Sequence, residues 1–418
     1  MLVCRNGRSD SLTLEGRLPG ERCVTVTVQN GVIVRIEPTG SSAAVLAPAF
    51  VDPHVHLRTP GREDEETIAS GTAAAAAGGY CAILAMPNTD PVVDSGPVLR
   101  GLLEAARAEA LVPVGFMAAI SSSLEGEQLT EMGELADVGA AAFTDDGRPV
   151  VSAGLLQRAL QYGTVTGRPL ALHCEEPTLS RDGHVHEGTV SAELGLAGCP
   201  SIAESAMVER DLALAAYEER PVHLMHLSAR ESVEALARAR AAGVAATGEV
   251  TPHHLCLTDE AVRSLDPNLK MNPPLRSEPD RKALVEGLRD GTIGAVATDH
   301  APHSREEKDA PFEAAPFGVT GLETAFAALY TRLVVPGSIP LETLLERMSA
   351  GPARALGLPE PRLEVGARAN LVLLDLEAEW TVTEEGFRSR SANSWLLGQR
   401  LRGAVVQTVA DGRLVHAA

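Results

Sequence analysis

The sequence predicts a (β/α)₈ barrel of the TIM type, joined to a small β-sandwich that both chain ends build. Two observations favour this α/β class. Between about Phe50 and Leu358, short apolar runs alternate with alanine- and leucine-rich helical patterns, whereas both chain ends contain strand-like runs alone. The strand-like runs number eight and are separated by helical crossovers, and eight such strands close a parallel barrel.

The order of these runs along the chain is the evidence for the barrel. The predicted strands are Val51 to His56, Tyr80 to Met86, Val112 to Ala119, Ala140 to Asp146, Pro169 to Glu175, Pro221 to Ser228, Val244 to Thr251 and Ala295 to His300. The helical patterns include Glu65 to Ala77, Val98 to Ala110, Leu155 to Tyr162, Ala203 to Tyr217, Ser232 to Ala242 and Leu322 to Leu333. Functional side chains of such barrels lie at the carboxyl ends of the strands.

Both chain ends carry hairpin signals. Val24 to Val28 and Val32 to Ile36 flank Asn30-Gly31, and two further β-rich runs flank Asp411-Gly412. Asn-Gly and Asp-Gly between such runs favour tight hairpins. Because chain ends commonly lie close together at the surface, we expect them to form one sandwich. The predicted domains are residues 1–49 and 359–418 for the sandwich and residues 50–358 for the barrel.

Composition indicates which class of binding partner the chain can have. The formal net charge of −20 would repel nucleic acid, whose binding depends on Lys and Arg neutralising phosphates. Six cysteines without a C-x-x-C pair indicate thiols in a reducing compartment. The N-terminus lacks the apolar core of a signal peptide, and the sequence contains no apolar run long enough to span a membrane. We therefore expect a soluble, cytoplasmic protein with a small-molecule substrate and no membrane contact.

Metal-ligating residue types recur at the ends of the predicted strands. His54 and His56 are two residues apart on a strand, so both side chains project from one face and can bind one metal ion together. A lone histidine at a strand end is more often structural, but a set that recurs at one barrel mouth favours ligands. The other candidates are Asp145 or Asp146 at the fourth strand, His173 at the fifth, His226 at the sixth and Asp299 at the eighth.

Imidazole nitrogen together with carboxylate oxygen suits zinc. Six such ligands exceed the three protein ligands of a typical mononuclear catalytic site, so two ions bridged by a carboxylate are favoured. The strand pattern does not choose between Asp145 and Asp146 as the bridge. Six further histidines are not expected to be ligands. His184 and His186 are interpreted as loop residues, His253 and His254 as packing residues or as supports of a ligand, His223 as a buried residue or loop contact, and His416 as a tail residue.

Several phrases of the sequence are similar to those of one known family. They are Val51-Asp52-Pro53-His54-Val55-His56-Leu57-Arg58, Met86-Pro87-Asn88-Thr89, Phe143-Thr144-Asp145-Asp146-Gly147, Lys270-Met271-Asn272-Pro273-Pro274-Leu275-Arg276, Ala297-Thr298-Asp299-His300-Ala301-Pro302-His303 and Ala315-Pro316-Phe317-Gly318-Val319-Thr320-Gly321-Leu322-Glu323-Thr324. Through them the chain resembles the amidohydrolase superfamily and, within it, the bacterial type I dihydroorotases. H-x-H alone is weakly specific, but the ordered set is highly specific and runs through the whole barrel.

The resemblance implies a role for each motif residue. The implied ligands of two Zn²⁺ ions per subunit are His54, His56 and Asp299 for one ion, His173 and His226 for the other, and Asp146 as the bridge. The implied substrate contacts are Arg58, Asn88, Asn272, His303 and the backbone around Phe317 and Gly318. Asp299 would also act as the catalytic residue that moves a proton from water to the departing ring nitrogen.

A second argument supports Arg58 as a substrate contact. It follows His56 by two residues, which puts both side chains on the same face of the strand. A planar guanidinium can donate two parallel hydrogen bonds to a substrate carboxylate. The alternative interpretation is a salt bridge at the rim of the barrel.

The lysines separate the chain from many relatives. Hydantoinases and type II dihydroorotases bridge their metals with a carboxylated lysine near the fourth strand. The only lysines here are Lys270, Lys282 and Lys308, all far from that strand in the sequence. An aspartate bridge is the type I pattern.

The implied reaction is the reversible cyclisation of N-carbamoyl-L-aspartate to (S)-dihydroorotate plus water, the third step of de novo pyrimidine biosynthesis. Another cyclic amidase, such as a hydantoinase or allantoinase, is one alternative, and the missing lysine disfavours it. A non-catalytic partner of aspartate carbamoyltransferase is a second alternative, which the complete ligand set disfavours. The protein partners expected are a second copy in a homo-oligomer, most simply a dimer, and aspartate carbamoyltransferase.

The charged segment Pro302 to Ala310 follows the eighth predicted strand at the catalytic end. A solvated loop is the simpler interpretation. A lid that becomes ordered when substrate binds is the functional hypothesis for this segment.

Overall fold

The computed structural model describes residues 1–5, 7, 11–20 and 22–418. Its strands are β1 (Leu12–Arg17), β2 (Cys23–Gln29), β3 (Val32–Pro38), β4 (Val45–Pro48), β5 (Phe50–Val55), β6 (Tyr80–Ala85), β7 (Val114–Phe116), β8 (Leu170–Leu172), β9 (Val185–His186), β10 (Gly198–Cys199), β11 (Val222–Leu224), β12 (Ala246–Val250), β13 (Ala295–Val296), β14 (Leu371–Thr381), β15 (Arg400–Ala410) and β16 (Arg413–Ala417). Its helices are α1 (Ile68–Ala77), α2 (Gly96–Glu109), α3 (Met132–Val138), α4 (Ala153–Thr166), α5 (Pro177–Ser180), α6 (Thr189–Leu194), α7 (Ile202–Glu218), α8 (Arg230–Ala241), α9 (Pro252–Cys256), α10 (Glu278–Asp290), α11 (Arg305–Lys308), α12 (Ala325–Leu329), α13 (Leu341–Met348) and α14 (Ala350–Ala355). A π-helical turn, Tyr330–Val334, follows α12.

The central strands pair in parallel, as the alternating pattern predicts. One sheet has the order β5-β6-β7 and another the order β13-β12-β11-β8. Phe143 forms parallel bridges to Ala118 and to Leu170, and Val55 forms one to His300. These bridges link the two sheets at both of their edges. The carboxyl ends of all these segments therefore face the same side of the molecule.

The first strand is fully buried although it contains polar residues. All six residues of β5 and all six of β6 lack appreciable exposure, as expected for strands covered on both faces. Asp52 accepts hydrogen bonds from the backbone N–H groups of His54 and Thr298, both at 3.1 Å. This carboxylate ties the first strand to the chain that leaves β13, and so fixes the neighbouring His54.

Several strands end earlier than the apolar runs predict. β11 ends at Leu224 and β13 at Val296, and the fourth predicted run forms isolated bridges at Phe143 in place of a regular strand. His226 and Asp299 have φ values of 31° and 48°. This left-handed backbone lies just beyond the strand ends, in the segments that carry both side chains to the mouth.

Helix α1 begins at Ile68, three residues later than the predicted Glu65 start. Thr67 is the N-cap, and its hydroxyl accepts a hydrogen bond from the Ser70 N–H while Ser70 bonds back to the Thr67 N–H. Such a capping box stabilises a helix start by about 1 kcal/mol. Glu65 and Glu66 are thereby left outside the helix, where their carboxylates reach other segments.

Both chain ends enter one mixed sheet with the order β16-β15-β14-β4-β1-β2-β3. The two predicted hairpins are confirmed: Gln29 pairs with Val32 across Asn30-Gly31, and Ala410 pairs with Arg413 across Asp411-Gly412. In β2 the valines are buried and the threonines between them are half-buried. The sheet therefore has an apolar face, which packs on its own cluster of buried residues.

Residues 387–397 leave this sheet between β14 and β15 and lie against the mouth of the parallel core. Ser389 Oγ donates to Glu66 Oε2 at 2.5 Å, and Ser391 Oγ donates to the Glu65 carbonyl at 2.8 Å. We call residues 387–397 the strap. Of the described residues, none belongs to a helix long and apolar enough to cross a membrane.

Candidate metal centre and substrate pocket

Asp146 lies at the centre of the four histidines that the strand ends supply. Its Oδ1 is 3.5 Å from His54 Nε2 and 3.6 Å from His226 Nε2. The same oxygen is 3.7 Å from His173 Nδ1, and Oδ2 is 3.5 Å from His56 Nε2. Although burial disfavours its charge, His54 and His226 hold the pKa of Asp146 well below its usual range.

Asp299 completes the cluster from the end of the eighth segment. Its Oδ1 is 3.1 Å from His56 Nε2 and 3.4 Å from His54 Nε2. Two trios share His54, one with Asp146 and His226 and the other with His56 and Asp299, and the ligand atoms of each trio lie within 4.8 Å of one another. The six predicted ligands therefore converge on one volume.

The donor set fits a pair of metal ions. His54 Nε2 is buried and has no hydrogen-bond partner among the described residues. An orphaned imidazole nitrogen close to two carboxylates is costly unless a cation accepts its lone pair. His173 Nδ1 also lies only 2.9 Å from His226 Nε2. Neutral imidazoles and carboxylates in this arrangement are ligands that zinc accepts.

Asp145, the alternative bridge, is turned away from the cluster. Its Oδ1 accepts hydrogen bonds from the backbone N–H groups of Ile120 at 2.8 Å and Ser121 at 3.0 Å. The Ser121 hydroxyl donates to the other oxygen. Asp145 therefore anchors the loop after β7, and Asp146 is the carboxylate that faces the histidines.

Glu249 is a site residue that the sequence reasoning missed. It lies in β12, is 1% exposed, and accepts hydrogen bonds from His54 Nδ1 at 3.0 Å and His223 Nε2 at 2.9 Å. A proton held on His54 Nδ1 leaves Nε2 with its lone pair toward the cluster. Burial opposes ionisation, but His223 and His54 keep the pKa of Glu249 at about 2. A glutamate inside an apolar run was the signal available in the sequence.

The two predicted amide contacts, Asn88 and Asn272, bond to the ligands or to a residue that holds one. Asn88 Oδ1 lies 2.9 Å from His56 Nδ1, and Asn88 Nδ2 donates to Asp146 Oδ2 at 3.3 Å. Glu175, which the sequence reasoning did not single out, accepts from His173 Nε2 at 3.1 Å and from Asn272 Nδ2 at 2.8 Å. Both predicted amides therefore lie beside the candidate ligand cluster.

A cavity of about 230 Å³ opens above the cluster. Every residue predicted for the site lines it except His54, which lies buried beneath. Gly147 and Ala301 are further lining residues. A polar cavity that ends on a ligand cluster is the arrangement expected of an active site.

Arg58 and His303 form one wall of this cavity. Arg58 Nη2 lies 3.2 Å from His303 Nε2, and Arg58 Nε is 3.1 Å from Glu65 Oε2. Glu65 also accepts from His303 Nδ1 at 3.1 Å. The salt bridge that was the alternative interpretation of Arg58 is thus present, and the guanidinium still lines the cavity. Glu65 holds both nitrogen-bearing side chains in place.

Glu65, His303 and Glu307 are a third trio of possible ligands. Arg62 Nη2 is 2.9 Å from Glu65 Oε1 and 2.8 Å from Glu307 Oε1. Arginine guanidiniums thus neutralise this trio in place of a metal ion.

The opposite wall is backbone at Phe317 and Gly318. Gly318 has φ +121°, and a Cβ there would lie 2.6 Å from the Ala301 Cβ. Only glycine permits this close approach. The Phe317 carbonyl lies 2.8 Å from His303 Nε2, and Gly318 N–H donates to the Lys270 carbonyl at 2.9 Å.

The lysines and the six histidines not expected to be ligands lie outside the cluster. Lys270 Nζ donates to the Ala315 carbonyl and Lys308 Nζ to the Pro316 carbonyl, at 2.7 and 2.8 Å, while Lys282 is exposed beside Glu278. His254 is held by Thr251 and the Pro273 carbonyl. Within the described part of the chain, His186 lies beside Arg276, the His223 ring bonds to Glu249 and Thr247, and none of the three trios includes His184, His253 or His416.

Comparison with known sequences identifies relatives along nearly the whole chain. A family model described as dihydro-orotase-like matches residues 43–232. The dihydroorotase of Caldanaerobacter subterraneus subsp. tengcongensis is 41% identical over 422 residues, which cover 99% of this chain and 96% of that protein. The dihydroorotase of Anaeromyxobacter dehalogenans strain 2CP-C is 47% identical over 89% of this chain and 86% of its own length.

Solved structures show the same fold. The L-hydantoinase of Arthrobacter aurescens has a TM-score of 0.85 at 26% identity, covering 96% of this chain and 94% of that one. The dihydropyrimidinase of Brevibacillus agri NCHU1002 has a TM-score of 0.81 at 22% identity, covering 100% and 95%, a likeness of fold alone. The sequence relatives therefore decide the family within this fold, and the chain belongs to the dihydroorotases.

Proposed function

We propose that this chain catalyses the reversible cyclisation of N-carbamoyl-L-aspartate to (S)-dihydroorotate plus water, the third step of de novo pyrimidine biosynthesis. The observation that carries the proposal is the Asp146 carboxylate among four imidazoles, next to the Arg58 guanidinium. A ligand set for two metal ions suits hydrolysis of an amide, and a guanidinium suits binding of an anionic ring.

Two zinc ions per chain are part of the proposal. The proposed ligands are His54, His56 and Asp299 for one ion, His173 and His226 for the other, and Asp146 between them. Bound there, zinc supplies Lewis acidity to the amide carbonyl and to water. The orphaned His54 Nε2 and the Glu249 hydrogen bond behind it support this assignment.

Asp299 is the proposed proton carrier. Against desolvation, the imidazoles of His54 and His56 keep its pKa below the ordinary value, so the carboxylate is ionised at neutral pH. In ring opening, water attacks the amide carbon, Asp299 accepts a proton from that water, and the ring nitrogen receives the proton as its bond to carbon breaks. Ring closure reverses these transfers and releases water.

Arg58 and His303 are proposed to bind the substrate carboxylate. Asn88 and Asn272 would hydrogen-bond the ring, and the backbone at Phe317 and Gly318 would cover it. The support is that all six line one cavity of about 230 Å³. A guanidinium held by Glu65 is already oriented, which reduces the entropy lost on binding.

The architecture belongs to the proposal as well. We infer a closed (β/α)₈ barrel over residues 50–358, because the parallel bridges of Phe143 and Val55 join the two central sheets at both edges. Residues 1–49 and 359–418 would form a two-layer β-sandwich. A homodimer and a complex with aspartate carbamoyltransferase rest on the family resemblance, and a cytoplasmic location rests on the cysteine pattern. Light scattering with and without the transferase tests both assemblies.

A hydantoinase is the second candidate, because the L-hydantoinase of Arthrobacter aurescens shares the fold. An aspartate at the centre of the cluster, with the lysines engaged elsewhere, argues against it. The test is a panel of dihydroorotate, hydantoin and allantoin, with zinc content measured on the same sample. We expect dihydroorotate alone to be opened. A zinc-loaded protein that opens hydantoin but not dihydroorotate contradicts the proposal, and one inert to all three favours the non-catalytic alternative.

A further inference from the structure

Asn393, in the strap, makes three hydrogen bonds to segments that line the substrate pocket. Its Oδ1 accepts from the His303 N–H at 3.0 Å. Its Nδ2 donates to the carbonyls of Ala301 at 3.1 Å and Gly318 at 3.3 Å. The side chain is 7% exposed, so these groups have little access to water as a substitute partner.

The three bonds join chain segments that are distant in sequence. His303 follows β13, Gly318 belongs to the loop before α12, and Asn393 lies 90 residues beyond His303. The backbone of Asn393 adds a fourth bond, because its carbonyl accepts from the Thr320 N–H at 2.9 Å. The two segments also meet directly, where the Ala301 N–H donates to the Val319 carbonyl at 2.9 Å. Asn393 adds a bridge on the strap side, between the points from which His303 and Gly318 face the cavity.

The strap also contacts the Arg58 wall. Ser391 bonds to the Glu65 backbone, and Arg390 N–H donates to Glu66 Oε1 at 3.1 Å. Since Glu65 holds Arg58 and His303, the strap supports both sides of the pocket. It does so without lining the cavity: Asn393 is absent from the residues that surround it.

We propose that Asn393 is a positioning residue that keeps His303 and Gly318 at the separation the anionic substrate requires. The inference rests on the proposed function, because it takes dihydroorotate and N-carbamoyl-L-aspartate as the ligands. A shift of a few tenths of an ångström in a hydrogen-bonding wall weakens binding while the metal ligands stay in place.

The test compares zinc-loaded wild type, Asn393→Ala and Asn393→Asp. Asn393→Ala removes all three side-chain bonds, and Asn393→Asp keeps the acceptor for His303 but lacks the donor for Ala301 and Gly318. We expect KM for dihydroorotate to rise about tenfold in Asn393→Ala, with zinc content unchanged and kcat altered less than about threefold. Asn393→Asp should also raise KM, and it carries the test if the alanine variant does not fold.

The matched control is Asn370→Ala. Asn370 Oδ1 likewise accepts a backbone N–H, that of Asp411 at 2.7 Å, but within the terminal sheet. This variant should lose thermal stability and keep the wild-type KM. A general structural effect would lower the active fraction, and so the apparent kcat, in both variants.

Two outcomes overturn the positioning role. One is a folded Asn393→Ala protein whose KM stays within about twofold of wild type. The other is a fall in kcat alone, in parallel with lost stability. A zinc-loaded wild type that does not open dihydroorotate contradicts the proposed function instead, so the two failures are distinguishable.

Discussion

At Asp146 the two oxygens of one carboxylate have different neighbours. Oδ1 faces three imidazoles, whereas Oδ2 faces His56 and the Asn88 amide. The residue before it, Asp145, has the same side chain and similar burial, but its carboxylate bonds to Ile120 and Ser121. Two adjacent aspartates thus provide a matched pair for mutation.

Asp146→Asn should release bound zinc and abolish most turnover. Loss of a residue that only orients a ligand typically costs about 10- to 100-fold in metal affinity or activity, and loss of a central carboxylate should cost more. Zinc per chain and kcat/KM for dihydroorotate are the measurements. Asp145→Asn should instead lower the melting temperature and retain zinc. Equal zinc loss in both variants would refute the assignment of Asp146.

Glu249→Gln should weaken zinc binding although Glu249 lies behind the ligands. The amide keeps nearly the same shape but loses the negative charge that orients His54 and His223. We expect a fall of about 10- to 100-fold in affinity, measured by competition with a chelator. Thr247 bonds to His223 and lies one hydrogen bond farther from the ligands than Glu249 does. Thr247→Val should therefore lower zinc affinity less. Unchanged affinity in the glutamine variant would show that Glu249 is only a packing residue.

Among the elements, α11 and the loop after it are held by a buried lysine. Lys308 Nζ donates to the carbonyls of Pro267 at 3.0 Å and Pro316 at 2.8 Å. Desolvation, and then the charge of Lys270, lowers the pKa of Lys308 to about 7. A neutral amine still carries the two hydrogens that these bonds need. The segment predicted as a possible lid is therefore anchored at this end by uncharged donors above neutral pH.

This pKa shift makes stability depend on pH. Between about pH 7 and the ordinary lysine value near 10.4, the unfolded state binds more protons at Lys308 than the folded state, so the free energy of unfolding rises with pH. The contribution is at most about 1.4 kcal/mol per pH unit. Denaturant titrations at several pH values give the free energy of unfolding as a function of pH. Its slope against pH should be smaller in Lys308→Met than in wild type. Lys282→Met, at an exposed lysine, should keep the wild-type slope; equal slopes in all three proteins would refute the shift.

The elements also show which features a single sequence can predict. The hairpins at Asn30-Gly31 and Asp411-Gly412 depend on local turn chemistry, and the structure contains both. The apolar runs locate the parallel strands but overestimate their lengths. The strands end at Leu224 and Val296, and left-handed backbone follows at His226 and Asp299. No local pattern signals a positive φ in a histidine or an aspartate. The Thr67 cap, by contrast, was readable beside Ser70 and would have corrected the start of α1.

For the whole molecule, the missed residues are those whose partners are distant in the chain. Glu249 meets His54 across 195 positions, and Asn393 meets His303 across 90. Such contacts have no periodicity or spacing for a sequence pattern to register. The ligands could be predicted from the sequence because parallel strands place their carboxyl ends together, which is a property of the fold class itself. The choice between Asp145 and Asp146 required the actual direction of each side chain.

Removal of zinc should affect the stability of the whole chain as well as turnover. The proposed ligands come from segments as far apart as His54 and Asp299, so a bound ion would link the two central sheets. A ligand that binds only the folded state stabilises it by about 2.7 kcal/mol at a hundred times its dissociation constant. Chelation should therefore abolish opening of dihydroorotate and lower the melting temperature, and added zinc should restore both.

The same titration on Asp146→Asn separates this effect from nonspecific binding. Without the central carboxylate, zinc should raise the melting temperature by much less than in the chelated wild type. Magnesium, which prefers oxygen ligands in octahedral geometry, should restore little at this histidine-rich cluster. Full activity after exhaustive chelation, confirmed by metal analysis, would contradict a metal-dependent reaction. An equal zinc response in both proteins would place the stabilising ion at another site.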